Sequence, residues 1–81
     1  MNVLVKFFSY YRLIAGREQI TLSLPENATV ASMINELEQK IGDLSSKMAQ
    51  TAFMVNQKQA SPETPLKDKD EVYLLYLIGG G

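Results

Sequence analysis

Residues 71–78 read EVYLLYLI, and neither face of that segment is polar enough to lie against water. Side chains alternate across a strand, so a segment apolar on both faces belongs inside a sheet, with a central place or a covered outer face. A chain of 81 residues can supply that setting once. It is a single domain near the lower size limit for one core, long enough to lay one amphipathic helix across one sheet. Little is left over for a deep substrate pocket. The sequence therefore predicts an α+β fold organised around its last strand, and the other segments must provide that strand's neighbours.

Residues 2–9, NVLVKFFS, alternate loosely. Val3, Val5 and Phe7 share one face, and Leu4, Lys6 and Phe8 share the other, which Lys6 marks as the wetter. Tyr10 to Gly16 reads as a connection with a helical turn, Gly16 being free to take positive φ. In residues 17–24, Ile20, Leu22 and Leu24 point one way and Gln19, Thr21 and Ser23 the other, and Pro25 closes the strand. Two strands joined by a short segment predict a hairpin. Thr29 then stands as a helix N-cap, followed by Val30, Ile34, Leu37 and Ile41 in one apolar stripe with Met33, and Gly42 ends the helix.

Residues 43–51 read as a loop with room for one helical turn, and 52–56 as a short apolar strand. Asn56-Gln57 makes a tight turn into a brief strand at 58–60. Leu66, between Pro65 and a polar stretch, is expected in the core, and Asp68-Lys69-Asp70 as a solvated turn. The order β-β-α-β-(β)-β describes a β-grasp, a mixed sheet with one main helix packed across it. The first and last strands, both rich in apolar residues, are expected as parallel neighbours at its centre. The domain is expected over 1–78, with 79–81 a glycine tail.

The chain has no cysteine and no histidine. That removes disulfides, thiolate nucleophiles, Cys/His zinc sites and histidine acid–base catalysis. The carboxylates form no pair at a spacing suited to hydrolysis, and no metal site or stably bound cofactor is expected. With net charge -1 and basic residues spread along the chain, no nucleic-acid face is expected. No signal peptide or membrane span is expected either, which favours the cytosol. What remains is a carrier or a binding protein, not an enzyme acting alone.

Gly79-Gly80-Gly81 follows the last core strand at once. Glycines lack a Cβ and accept backbone angles closed to other residues, so such a tail can thread a narrow active site in another protein. A free carboxylate at Gly81 would be inert until an oxygen becomes a leaving group, which adenylation with ATP achieves. The bland alternative is a glycine end of no consequence.

At this point the sequence resembles the ThiS/MoaD sulfur carriers, which share the β-grasp with ubiquitin. VKFFSYYRLIAG (5–16), ATVASMINEL (28–37), MVNQ (54–57), PLKDKDEV (65–72) and the final glycines carry the resemblance over nearly the whole chain, more closely to the molybdopterin synthase small subunit, MoaD, than to ThiS. Tyr76 and Leu77 stand where MoaD proteins commonly have Pro-Pro, and Lys69 stands where a turn glycine is common. Tyr76-Leu77-Ile78 is more similar to the ThiS end.

The resemblance implies that an E1-like adenylyltransferase, using ATP, activates Gly81, with Gly80 completing the reactive pair. A sulfur donor protein then supplies a persulfide sulfur, and a C-terminal thiocarboxylate forms. It further implies delivery of that sulfur to molybdopterin through the synthase large subunit. Thiazole synthesis for thiamine, a ubiquitin-like protein modifier and a β-grasp interaction module are the alternatives.

If Val72 and Leu74 face the helix, Tyr73, Leu75 and Leu77 lie on the opposite face, with Phe8 beside them. Those residues, together with Ile78 and Gly79 leading into the tail, are the expected partner surface, which Gln59 would border. The competing expectation is that the 43–51 segment folds over this patch. Arg12 is expected to pair locally with Glu18 or to face solvent, and Tyr10 and Tyr11 to serve packing.

Overall fold

In the computed structural model, which describes residues 1–77, the elements run β1 (Asn2–Phe7), α1 (Tyr10–Ala15), β2 (Gln19–Ser23), α2 (Val30–Ile41), a 3-10 helix (Ser45–Gln50), β3 (Thr51–Val55), β4 (Lys58–Ala60) and β5 (Glu71–Tyr76). The five strands form one sheet in the order β2-β1-β5-β3-β4. β5 is therefore the middle strand, parallel to β1 and antiparallel to β3. Both of its edges are hydrogen-bonded, as its apolar composition requires. The strand expectations hold with shorter ends: regular pairing stops at Phe7 in β1 and at Tyr76 in β5.

The pleat sorts the side chains. Val3, Val5 and Phe7 of β1, Leu22 of β2, Phe53 of β3, and Val72 and Leu74 of β5 are buried on one face of the sheet. Val30, Met33, Ile34 and Leu37 of α2 close over that face. Leu24, Ala28, Leu44 and Leu66 complete the core at its margins, Leu66 where the sequence places it.

α2 starts where it does because its first amides are all satisfied. Thr29 accepts from Ser32 N, and the Ser32 side chain accepts from Thr29 N, a reciprocal capping box. Val30 N donates to Thr64 O and Ala31 N to Pro62 O, so the loop before β5 is tied to the helix start. Gly42 ends the helix at φ 108°, a conformation that strains residues with a Cβ.

The turn between β3 and β4 has Asn56 at φ 52° and Gln57 at φ 68°. Both values are those of the primed two-residue hairpin turn, whose twist matches the flanking strands. Lys69 likewise takes φ 71°, the left-handed conformation that favours glycine, and its N–H donates to Asn2 O at 2.7 Å.

The turn around Asp70 differs from the solvated turn the sequence suggests. Asp70 is buried, and its carboxylate accepts from Lys67 N at 2.8 Å and from Asn56 Nδ2 at 2.8 Å. Asn56 Oδ1 in turn accepts from Glu71 N at 3.0 Å. The carboxylate thus latches the start of β5 to the β3–β4 turn, a role that a charge-rich tetrapeptide conceals in sequence. Asp70→Ala strands the Asn56 and Lys67 donors and is expected to cost about 1–3 kcal/mol of stability. A urea titration checks this, and an unchanged midpoint would remove the latch from the account.

Candidate functional site

The face of the sheet opposite α2 carries the residues expected to meet partners. Tyr73 and Leu75 of β5 point there, half-buried, between the fully buried Val72 and Leu74. Phe8 continues β1 alongside them, its N–H donating to Leu74 O at 3.2 Å. The Phe8 and Tyr73 rings lie 5.0 Å apart between centroids, within the range of favourable aromatic pairs. Leu77, beyond the end of β5, is 60% exposed. Phe8, Tyr73 and Leu75 are thus brought together, with Leu77 at the end of the same row.

The 43–51 segment does not cover this patch. It folds into the 3-10 helix, whose Met48 packs against the core, while Leu44 just before it is buried there. Both helices likewise place their buried residues in the core, so among the described residues nothing is laid across the outer face. Ile78, Gly79, Gly80 and Gly81 lie outside the described residues.

Two further residues join this face, of which only Lys6 was placed on it by the sequence. Lys6 sits at register with Tyr73, its Nζ 5.7 Å from the ring centroid and 3.6 Å from Glu71 Oε1. Met54 is the partner of Tyr73 on the other side, and Gln59 follows Met54 on β4. The row Lys6-Tyr73-Met54-Gln59 crosses four strands, and only the register reveals it. Lys6 was legible as the mark of the wetter face; Met54 had no such signal. The exposed Lys6–Glu71 pair adds little stability, so its interest is as a charge set within an apolar patch.

Arg12 is exposed on α1 and borders a shallow depression of about 220 Å³ that Lys6, Phe8, Glu18 and Gln19 also line. Tyr11 is buried and its hydroxyl bonds Thr51 Oγ1; burial pushes its pKa up, and the hydrogen bond partly offsets this. Tyr10 is exposed along part of its ring and stacks on Tyr76. Among the described residues no acidic cluster is placed to hold a metal ion, and no helix is long and apolar enough to cross a membrane. What the described surface does offer is the apolar face of Phe8, Tyr73 and Leu75 on and beside the central strand.

The family model of the ThiS family matches residues 5–81. No curated protein matches the sequence. Among solved structures, a Pyrococcus furiosus protein assigned as molybdopterin converting factor subunit 1 is 28% identical, with a TM-score of 0.81 over 96% of this chain and 99% of that one. The Helicobacter pylori complex of subunits 1 and 2 of molybdopterin-converting factor contains a chain 27% identical, with a TM-score of 0.68 over 100% of both. The small archaeal modifier protein 1 of Methanosarcina acetivorans is 26% identical, with a TM-score of 0.77 over 99% of this chain and 96% of that one. The match runs from the first strand through the final glycines, and the fold is the mixed β-grasp sheet with its helix: the chain belongs to the ThiS family.

Proposed function

We propose that this chain is a sulfur carrier whose Gly81 carboxylate is adenylated and converted to a thiocarboxylate, with molybdopterin as the destination of the sulfur. The observation that carries the reading is the family match extending through residue 81, on a domain whose central strand ends at Tyr76, with two residues between it and the first of the three glycines in the sequence. A Gly81 oxygen attacks the α-phosphorus of ATP and pyrophosphate leaves. Persulfide sulfur then attacks the carbonyl carbon, AMP leaves, and a thiol cleaves the acyl disulfide to free the thiocarboxylate. The adenylyltransferase, the sulfur donor and the large synthase subunit supply the catalysis; this chain supplies the terminus and the surface they grip.

The likeness to the Pyrococcus furiosus subunit 1 and to one chain of the Helicobacter pylori complex supports that destination, and the pairing of subunits in that complex supports a protein partner. A second reading, a ubiquitin-like protein modifier, draws on the archaeal modifier, which is similar to nearly the same degree. Incubation with ATP and an E1-like adenylyltransferase tests the common step, since pyrophosphate release that requires this chain is expected. Loading the chain with sulfur and supplying the pterin precursor with the large subunit tests the destination. Lysine conjugates through Gly81 in place of pterin sulfuration would favour the modifier.

The outer face makes its own prediction. Phe8→Ala and Tyr73→Ala each remove one ring of a packed aromatic pair from a surface that no other described residue covers, so each is expected to weaken binding of the adenylyltransferase about tenfold or more. Thr21→Ala, on the edge strand β2 of the same face, is expected to change binding little. Binding as little changed by Phe8→Ala and Tyr73→Ala as by Thr21→Ala, measured by titration calorimetry, would mean that this face is not the docking surface.

A further inference from the structure

Beyond the outer face, the end of β5 carries a second aromatic group that the docking surface does not use. Tyr76, the last residue of the strand, points to the same side as Val72 and Leu74, where α1 lies. Its ring is 4.6 Å from Tyr10 and 5.7 Å from Tyr11 between centroids, the latter edge-on at 89°. Tyr11 is itself held by its hydroxyl bond to Thr51 Oγ1, which donates to Lys47 O at 2.7 Å. Lys47 Nζ lies 5.9 Å from the Tyr10 centroid. One residue on, Leu77 N donates to Gln50 O at 2.8 Å, the last backbone hydrogen bond described before the tail.

α1, the 3-10 helix and β3 thus converge on one point of the chain. Packing alone would explain a buried Tyr11. It does not explain why two rings, one of them itself beneath the Lys47 ammonium, gather on a residue that is half-exposed at the strand's end.

We infer that Tyr10, Tyr11 and Tyr76 form a collar that fixes the position and direction in which the chain leaves the sheet at Leu77. Tyr76 is then a positioning residue for activation of the terminus. This rests on the carrier reading above for its purpose, but not for its existence. A tail whose base is already fixed reaches a partner's active site with less ordering left to do on binding. Loss of the collar therefore raises the KM for the carrier while leaving kcat near its original value. Tyr76→Phe keeps the ring contacts and behaves as the original.

Hydrogen exchange on the full chain tests the collar directly. In Tyr10→Ala and Tyr76→Ala, exchange at the Leu77 amide is expected to speed about tenfold or more, with Val72 and Leu74 keeping their protection. Tyr76→Phe is expected to match the original chain. Unchanged Leu77 exchange in the alanine variants, or a uniform loss of protection along β5, overturns the proposal. Adenylation by an E1-like enzyme, followed by pyrophosphate release well below the melting temperature, reads the consequence. A rise of about fivefold in KM with kcat within about twofold supports positioning; an unchanged KM overturns it. If the original chain is not adenylated at all, the carrier reading falls, and the exchange data alone decide the collar.

Discussion

Deleting Gly80 and Gly81 is expected to abolish ATP-dependent activation while leaving the domain as stable as the full chain. Every buried hydrophobic residue among those described lies between Val3 and Leu74, and the two described residues nearest the glycines, Tyr76 and Leu77, are half-buried and exposed. The proposed chemistry lies at Gly81. Adenylation needs a carboxylate delivered to the α-phosphorus of ATP, and a misplacement of about 1 Å already costs about 100-fold. Removing two residues retracts the terminus by several times that distance. Pyrophosphate release should therefore fall below detection with an unchanged melting curve. Retained activation would assign the glycines no part in it, and a lowered melting temperature would tie the tail to the fold.

Leu74→Ala is expected to produce a large loss of stability, well above that of truncating its neighbour on the open face. Leu74 is fully buried on the central strand, at register with Phe7 of β1 on one side and Phe53 of β3 on the other. Two large rings and α2 surround it, so a cavity there has stiff walls and little freedom to collapse. Such truncations cost about 2–5 kcal/mol, against a total of about 4–12 kcal/mol for a domain of this length. Tyr73→Ala, one residue away but on the open face, should cost much less, because its half-exposed ring leaves no closed cavity. Urea unfolding of both variants measures the contrast. Similar losses at the two positions would contradict the assignment of inner and outer faces.

The sequence made the inner architecture legible because period and burial coincide there. The alternation of Val3, Val5 and Phe7, the stripe from Val30 to Ile41 and the doubly apolar 71–78 segment each specify a face without knowledge of neighbours, and together they imply the helix-on-sheet arrangement. The Thr29 cap and the Asn56-Gln57 turn were readable from local chemistry for the same reason.

What escaped depended on register or on distant partners. Met54 joins the outer patch only because β3 pairs with β5 so that it faces Tyr73. Asp70 looked solvated because its neighbours Asp68 and Lys69 are exposed, while its partner Asn56 is fourteen residues away. Tyr76 stood out as a departure from a family pattern, and its contacts with Tyr10 and Tyr11 appear only when α1 is folded onto β5. The candidate surface was thus largely legible: Phe8 and Lys6, and Tyr73 and Leu75, could be sorted by parity and Gln59 set at the border, but Met54, which joins Tyr73 to Gln59, could not.

The central claim is that Gly81 carries sulfur. Intact-mass spectrometry of the protein isolated from its native cells under sulfur-replete conditions tests it most directly. The account predicts a population heavier by the exchange of one oxygen for one sulfur, with fragment ions confining the change to Gly81. Free carboxylate as the sole form, in cells whose adenylyltransferase is active, would contradict it.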